Sequence, residues 1–316
     1  MTAIEIYRDW RVLPERARGA SVALGNFDGV HLGHAGVVRA AQTARPDLVP
    51  AVLTFEPHPR ELFRPDDPPF RLTLSEERAE ALAKLGVRRI YELRFDRNFS
   101  ELSADAFVHE VLHRGIGARH LVCGPDFAFG HQRSGDVRFL AARAGALGMG
   151  LTVVPPVCDE EGPISASRIR RLLQSGKPER AAALLGRPWA IRGTVAKGDA
   201  LGRKLGFPTA NIALGRHLEP ARGVYAVSVR MPDHSKRLGV ASIGCRPTIK
   251  EGLESLLEVY LFDFSGDLYG AELSVALHAF LRPEEKFPSL DALARQMEAD
   301  VRQARSVLDP LGPSFA

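Results

Sequence analysis

A change of hydrophobic period midway along the chain constrains the fold more than any other feature. Up to about Gly186, short β-rich runs alternate with helical stretches, the pattern of βαβ units that build a parallel sheet covered by helices. The strand candidates are Ser21–Leu24, Val49–Phe55, Arg89–Leu93, His120–Cys123 and Leu151–Val154. Helices are expected after His34, over Glu76–Leu85 behind Ser75, over Ala104–His113 behind Ser103, and through Val137–Leu147. After Leu185-Gly186-Arg187-Pro188 the helical period stops. The segments Ala190–Val195, Val224–Arg230, Leu238–Ile243, Leu256–Phe262 and Leu273–Phe280 then read as an antiparallel barrel. Leu290, Leu293, Met297, Val301 and Ala304 fall on one face of a closing helix. Two domains follow, 1–186 and 187–316, and 316 residues suffice for two cores.

Composition narrows the function. The 42 basic and 38 acidic residues leave a net charge of +4, with arginines scattered and not interleaved with aromatics, which fits small anionic substrates and excludes a nucleic-acid surface. The N-terminus lacks a signal peptide's apolar stretch and no run approaches membrane-spanning length, so a cytoplasmic location is expected. Cys123, Cys158 and Cys245, odd in number and far apart, are expected as buried free thiols. Oligomeric state is left open, a homo-oligomer included.

An open, doubly wound sheet binds ligands beyond the carboxyl ends of its strands, which makes the loops there the suspects. Directly after Ser21–Leu24 runs Gly25-Asn26-Phe27-Asp28-Gly29-Val30-His31-Leu32-Gly33-His34. Its glycines permit close backbone approach, and the N–H groups of a helix start attract phosphate. His31 and His34, three apart, can face one triphosphate and donate hydrogen bonds as charge develops at the α-phosphorus. A zinc reading lacks further ligands at useful spacing. Three more segments would reach the same sheet edge. His58, between Pro57 and Pro59, is either a contact or part of a rigid turn. Asp126 lies beside Phe127 and Phe129, which suit a flat ring system or the core. Ser165 and Ser167 open a helix carrying Arg168 and Arg170, a clamp for phosphate oxygens or a capped surface helix.

The barrel half carries a second set. Lys197–Leu205, containing Gly198 and Gly202, runs into Gly206-Phe207-Pro208 and a Thr209-Ala210-Asn211 turn. Such a segment can wrap phosphates with backbone N–H groups or simply connect a hairpin, and Thr209 and Asn211 are hard oxygen ligands suited to Mg²⁺. No Gly-Lys-Ser or Gly-Lys-Thr is present, so it is not a Walker loop. The strand Leu256–Phe262 is apolar on both faces except at Glu258, either a general base toward a substrate hydroxyl or a strand-edge ion pair.

The first set of motifs resembles the nucleotidyltransferases with a His-x-Gly-His motif, and in its fuller strings the N-terminal domain of the prokaryotic FAD synthetase family. The resemblance implies a Rossmann-like domain in which His31 and His34 stabilise the transfer of AMP from ATP to FMN, with release of pyrophosphate. It assigns Asn26 and Asp28 to the ATP loop, whose Gly25 and Gly33, with His58 at the same sheet edge, are the contacts read from the residues themselves, and Asp126 to the flavin-side loop. Ser165, Ser167 and Arg170 match an Ile-Ser-Ser-Thr-x-x-Arg signature that holds ATP phosphates. This chain departs there, with Ala166 for the second serine and Ser167 for the threonine. The barrel motifs, from Gly206-Phe207-Pro208-Thr209-Ala210-Asn211 through Leu257-Glu258-Val259 to Leu281-Arg282-Pro283, are similar to riboflavin kinase. They imply a six-stranded barrel in which Thr209 and Asn211 bind Mg²⁺ and ATP, Glu258 deprotonates riboflavin, and Arg282 lies in the flavin-lining segment; Gly202 and Gly206 are the candidate phosphate-wrapping glycines of the loop before them. Together the resemblances imply two steps, riboflavin to FMN to FAD. The alternative is a riboflavin kinase whose first domain is weakly active or only binds.

Overall fold

The computed structural model describes residues 4–197, 206–247 and 253–309, with backbone alone at 245–247 and 253–254. The chain forms two compact units, Met1–Pro68 with Thr73–Ser165, and Pro69–Leu72 with Ala166–Ala316.

The first unit is a six-stranded sheet of β1 (Glu5–Tyr7), β2 (Ser21–Leu24), β3 (Pro50–Glu56), β4 (Arg89–Arg94), β5 (His120–Cys123) and β6 (Gly150–Val153). Its order is β1-β4-β3-β2-β5-β6, with every neighbouring pair parallel. The five strands expected from the sequence are all present. β1 is an addition, a three-residue edge strand too short for its alternation to stand out. Strand residues alternate between two cores because their side chains alternate in direction. Val22, Leu24, Leu53 and Leu121 pack with Phe107, Leu112 and Leu140 on one face. Ala23, Val52, Ile90 and Val122 pack with Val38 and Leu82 on the other.

The covering helices are α1 (Leu32–Thr43), α2 (Pro59–Phe63), α3 (Ser75–Lys84), α4 (Arg97–Ser100), α5 (Ala104–Ala106) and α6 (Val137–Ala146). α5 runs on as a π-helix over Phe107–Gly115, extended by Ile116 N donating to Val111 O at 2.8 Å. A small hairpin, β7 (Cys158–Asp159) with β8 (Gly162–Pro163), follows the sheet. Chain order reverses between β2 and β5, which opens a crevice at their carboxyl ends.

One buried charge cluster ties a helix to this sheet. Arg78 of α3, 1% exposed, donates through Nη2 to Glu92 of β4 at 2.8 Å and to Glu56 at the end of β3 at 3.1 Å. Ser75 also bonds to Glu92, and Arg8 reaches its other oxygen at 3.1 Å. Arg78→Met would leave two carboxylates short of their common cation, which costs about 3–5 kcal/mol when such a pair is broken by removing one partner. The first unit of that variant is expected to unfold at clearly lower denaturant than the parent, monitored by circular dichroism.

The second unit is a closed barrel of β9 (Trp189–Ala196), β10 (Thr209–Ala213), β11 (Gly223–Arg230), β12 (Lys236–Pro247), β13 (Leu253–Leu261) and β14 (Glu272–Pro283). Every pairing is antiparallel, in the order β10-β13-β12-β11-β14-β9 with β10 closing on β9. Ile191, Ile212, Leu257, Val259, Leu273 and Val275 are buried by the closure. The expected Thr209–Asn211 turn is instead the start of β10. Ala210 and Ile212 bury one face of it, and pairing to β13 and β9 takes up its backbone groups.

Helices α7 (Ala166–Gln174) and α8 (Pro178–Leu185) precede the barrel within this unit, α8 ending at Gly186 in the left-handed conformation (φ 73°). The unit boundary therefore lies ahead of the Gly186/Arg187 junction read from the sequence. Helix α9 (Leu290–Leu308), capped by Ser289, closes the chain. Its buried residues are Asp300, Ala304 and Leu308, whereas Leu290, expected on the packed face, is 55% exposed in the first turn.

The four residues Pro69–Leu72 belong to this second unit through their carbonyls. Phe70 O accepts from Arg170 Nε, Arg71 O from Leu218 N and Leu72 O from Trp189 Nε1, each at 2.8 Å.

Candidate active sites

The loop after β2 turns sharply into α1. Phe27 (φ 52°) and Val30 (φ 44°) both adopt left-handed backbone, and Val30 is β-branched, so the surrounding structure must over-determine this conformation. Thr54 Oγ1 donates to Asn26 O at 2.9 Å. Asp28, 2% exposed, accepts from Thr73 N at 3.0 Å, and Gly29 N donates to Thr73 Oγ1 at 2.9 Å.

His31 caps α1. Its Nδ1 accepts from His34 N, and His34 Nδ1 accepts from His31 N, both at 3.3 Å. The two rings stack with centroids 3.7 Å apart, and Phe27 backs His34 at 5.0 Å. With Nδ1 accepting from a backbone N–H, each neutral ring carries its proton on Nε2. The pair thus presents two N–H donors of fixed direction beside a helix start. Gly33 leaves little room for a side chain, because a Cβ there would sit 3.0 Å from the His31 ring and 3.1 Å from Ile164 O.

These residues open onto a cavity of about 870 Å³ at the carboxyl ends of the strands. Gly25, Asn26, His31, Gly33 and His34 line it together with His58, Asp126 and Ser165. Phe55, Phe63, Phe95, Phe99, Phe127 and Phe129 give the rest an aromatic lining suited to a flat ring. His58, besides lining the cavity, has a structural duty as N-cap of α2, its Nδ1 accepting from Arg60 N at 3.1 Å.

Asp28 sits in the loop between β2 and α1, as expected, but does not face the cavity. It is buried and held by Thr73, outside the cavity lining. Thr73 was not legible in the sequence, because it lies 45 residues from Asp28 and has no local motif. Ser167 and Arg170 lie on α7 in the second unit, where Ser167 is exposed and Arg170 bonds to Phe70 O.

The thiols divide as well. Burial, with a smaller push from Asp126, raises the Cys123 thiol to about 11. Cys158, expected to be buried, is exposed on the short β7 strand, and the Cys245 side chain lies outside the described residues.

In the barrel, the register places Asn211 of β10 opposite Glu258 of β13, and Glu258 opposite Ser242 of β12. Residues directly opposite share a face, so Asn211, Glu258 and Ser242 form one polar row, while Leu257 and Val259 bury the other face. Thr209, two residues before Asn211, shares that face opposite Tyr260, whose ring meets Phe207 edge-on at 5.2 Å. Asn211 Nδ2 donates to Thr209 O at 3.4 Å, whereas Asn211 Oδ1 is buried with no hydrogen-bond partner among the described residues. A buried amide oxygen without a donor is costly, and a hard cation satisfies it. The Thr209–Asn211 pair therefore fits Mg²⁺. No group of three or more His, Cys, Asp or Glu that could hold a metal occurs among the described residues.

Gly206 precedes this row with φ 85°, and Gly202 lies outside the described residues. Arg282 is held in a bidentate pair with Asp300 of α9 at 2.9 and 2.8 Å, which keeps its pKa above the ordinary value, and it stacks over Phe287 at 5.5 Å. Its guanidinium thus ties the terminal helix to the end of β14.

The FAD synthetase family model matches residues 13–168, and the riboflavin kinase model matches residues 185–308. The bifunctional riboflavin kinase/FMN adenylyltransferase of Escherichia coli K12 is 40% identical over 289 residues, 91% of this chain and 92% of its own. The protein of the same name from Pseudomonas fluorescens is 40% identical over 309 residues, 97% and 99% of the two chains. That of Bacillus subtilis is 34% identical, covering 96% and 97%. Among solved structures, a Streptococcus pneumoniae protein named a macrolide-efflux protein superposes with a TM-score of 0.85 at 34% identity, covering 95% of this chain and 98% of that one. Among the described residues no helix is long and apolar enough to cross a membrane.

Proposed function

The chain belongs to the bifunctional riboflavin kinase/FMN adenylyltransferase family, and from that membership we propose how its residues divide the chemistry. Its C-terminal part phosphorylates riboflavin to FMN and its N-terminal part adenylylates FMN to FAD, both with ATP. The functional division we adopt is 1–186 for adenylylation and 187–316 for phosphorylation.

In the barrel, Glu258 takes the proton of the riboflavin 5′-hydroxyl as its oxygen attacks the γ-phosphorus of ATP and ADP leaves. Thr209 and Asn211 would hold Mg²⁺, whose charge when bound offsets that of the ATP phosphates. Gly202 and Gly206 keep the nucleotide loop close to those phosphates. Arg282 acts by holding α9 in place and so shaping the flavin-side segment.

In the sheet unit, a phosphate oxygen of FMN attacks the α-phosphorus of ATP, the bond to the bridging oxygen breaks, and pyrophosphate departs. His31 and His34 donate their Nε2 protons to the phosphate oxygens as negative charge builds on them. Gly25, Asn26 and Gly33 let the nucleotide approach the backbone, Asp126 and the phenylalanines hold the flavin, and Ser165 takes a remaining phosphate oxygen. The reciprocal Nδ1 capping of His31 and His34 carries this reading, because it fixes both donor protons on the edges away from the helix. ATP consumption in both steps is the ground for a cytoplasmic assignment.

Incubation with riboflavin, ATP and Mg²⁺, followed by chromatography of the flavins, is expected to give FMN first, then FAD with one pyrophosphate per FAD. Excess chelator is expected to stop both. FMN that persists with no FAD would leave a kinase with a binding-only first domain.

A further inference from the structure

We propose that Thr73 is a positioning residue for adenylyl transfer, setting the direction of the His31/His34 pair by bracketing the two residues at the centre of its loop. The inference rests on the reading of that pair as donors to the reacting phosphate.

The observations converge on one side chain. Thr73 is 5% exposed and has no place in the cavity lining. Its backbone N–H and its hydroxyl both point to one oxygen of Asp28, at 3.0 and 3.4 Å, and the same hydroxyl oxygen accepts Gly29 N–H at 2.9 Å. Asp28 and Gly29 are flanked by Phe27 and Val30, the two non-glycine residues of this loop with positive φ. Left-handed backbone at a buried phenylalanine and a valine persists only where neighbouring groups hold it. The clamp therefore holds a strained segment that is followed at once by His31, and Phe27, at its other end, packs its ring against His34.

Loss of the Gly29 bond lets both ends relax. Relaxation at Val30 rotates the His31 cap, and relaxation at Phe27 removes the backing of His34. The rings would keep their chemistry but lose their aim.

The test compares Thr73→Val with Thr73→Ser in the full chain. Valine keeps the shape and the backbone bond to Asp28 but removes both hydroxyl bonds, whereas serine retains them. A small misplacement of catalytic groups costs up to about a hundredfold, so Thr73→Val is expected to lower kcat for FMN adenylylation by about ten- to a hundredfold. KM for ATP and for FMN should stay within about twofold, since the groups that bind without reacting are untouched. Thr73→Ser should recover most of the rate, and riboflavin phosphorylation by the same preparations should be unchanged.

A Thr73→Val enzyme that keeps its adenylylation kcat, or one whose loss is equalled by Thr73→Ser, overturns the proposal. His34→Ala, run in parallel, separates the two levels. If His34→Ala is inactive while Thr73→Val is unimpaired, the Thr73 assignment alone falls. If His34→Ala keeps full adenylylation, the histidine reading falls and takes this inference with it.

Discussion

Glu258→Gln is expected to reduce formation of FMN from riboflavin by about a thousandfold, within the range that a positioned general base contributes. Conversion of supplied FMN to FAD by the same preparation should be unchanged. The substitution preserves shape and hydrogen-bonding capacity in the row with Asn211 and Ser242, so the barrel should fold. It removes only the capacity to accept a proton and the negative charge. Rates taken by separating flavins after single-step incubations check both halves of the expectation. A variant within tenfold of the parent would mean that phosphoryl transfer here proceeds by positioning and electrostatics without a base, as a loose transition state allows.

His31→Asn should do the reverse, lowering FAD formation by about 10²–10³-fold, the usual loss when one donor to a developing oxyanion is removed, while riboflavin phosphorylation persists. Asparagine is the informative substitution. His31 caps α1, and alanine there would also withdraw the cap, whereas asparagine is among the best N-cap residues and cannot supply the Nε2–H. A folded His31→Asn protein that still makes FAD at the parent rate would show that the ring is held for the helix alone. Loss of both activities in a folded Glu258→Gln or His31→Asn protein would contradict the assignment of one site to each part of the chain.

The parts of this molecule that could be read from sequence share a physical reason. Strands of four or more residues and the glycine-punctuated loop after β2 announce themselves through local period and turn chemistry, so β2 to β6, the crevice and the first site loop were all accessible. Edge strand β1 was not, because three residues carry too little alternation. Strand β10 reads as a turn in the sequence because Ala and Asn, two of its first three residues, are poor strand markers, and only closure of the barrel, through pairing with β13 and β9, assigns them.

At the sites, residue type was a good guide to which side chains meet the cavity and a poor guide to which support them. Asp28 carries the charge expected of a ligand but spends it on Thr73, and Arg282 spends its own on Asp300. Both partners are distant in sequence and lack a motif of their own. The face of α9 was misjudged at its start, where Leu290 lies in the first turn and is 55% exposed, and at Asp300, a charge buried through its pair with Arg282.

The excursion of Pro69–Leu72 into the second unit has a consequence for how the protein is made. Domains generally fold as units, the N-terminal one first as the chain is synthesised. Here the carbonyls of Phe70, Arg71 and Leu72 leave the ribosome well before Arg170, Trp189 and Leu218, the residues that donate to them. The nascent sheet must close on both sides of a segment whose partners do not yet exist, with Thr73 already engaged and Leu72 still waiting. The two activities are chemically separable, but the chain that carries them is interleaved, and the second unit is completed around a segment translated in the middle of the first.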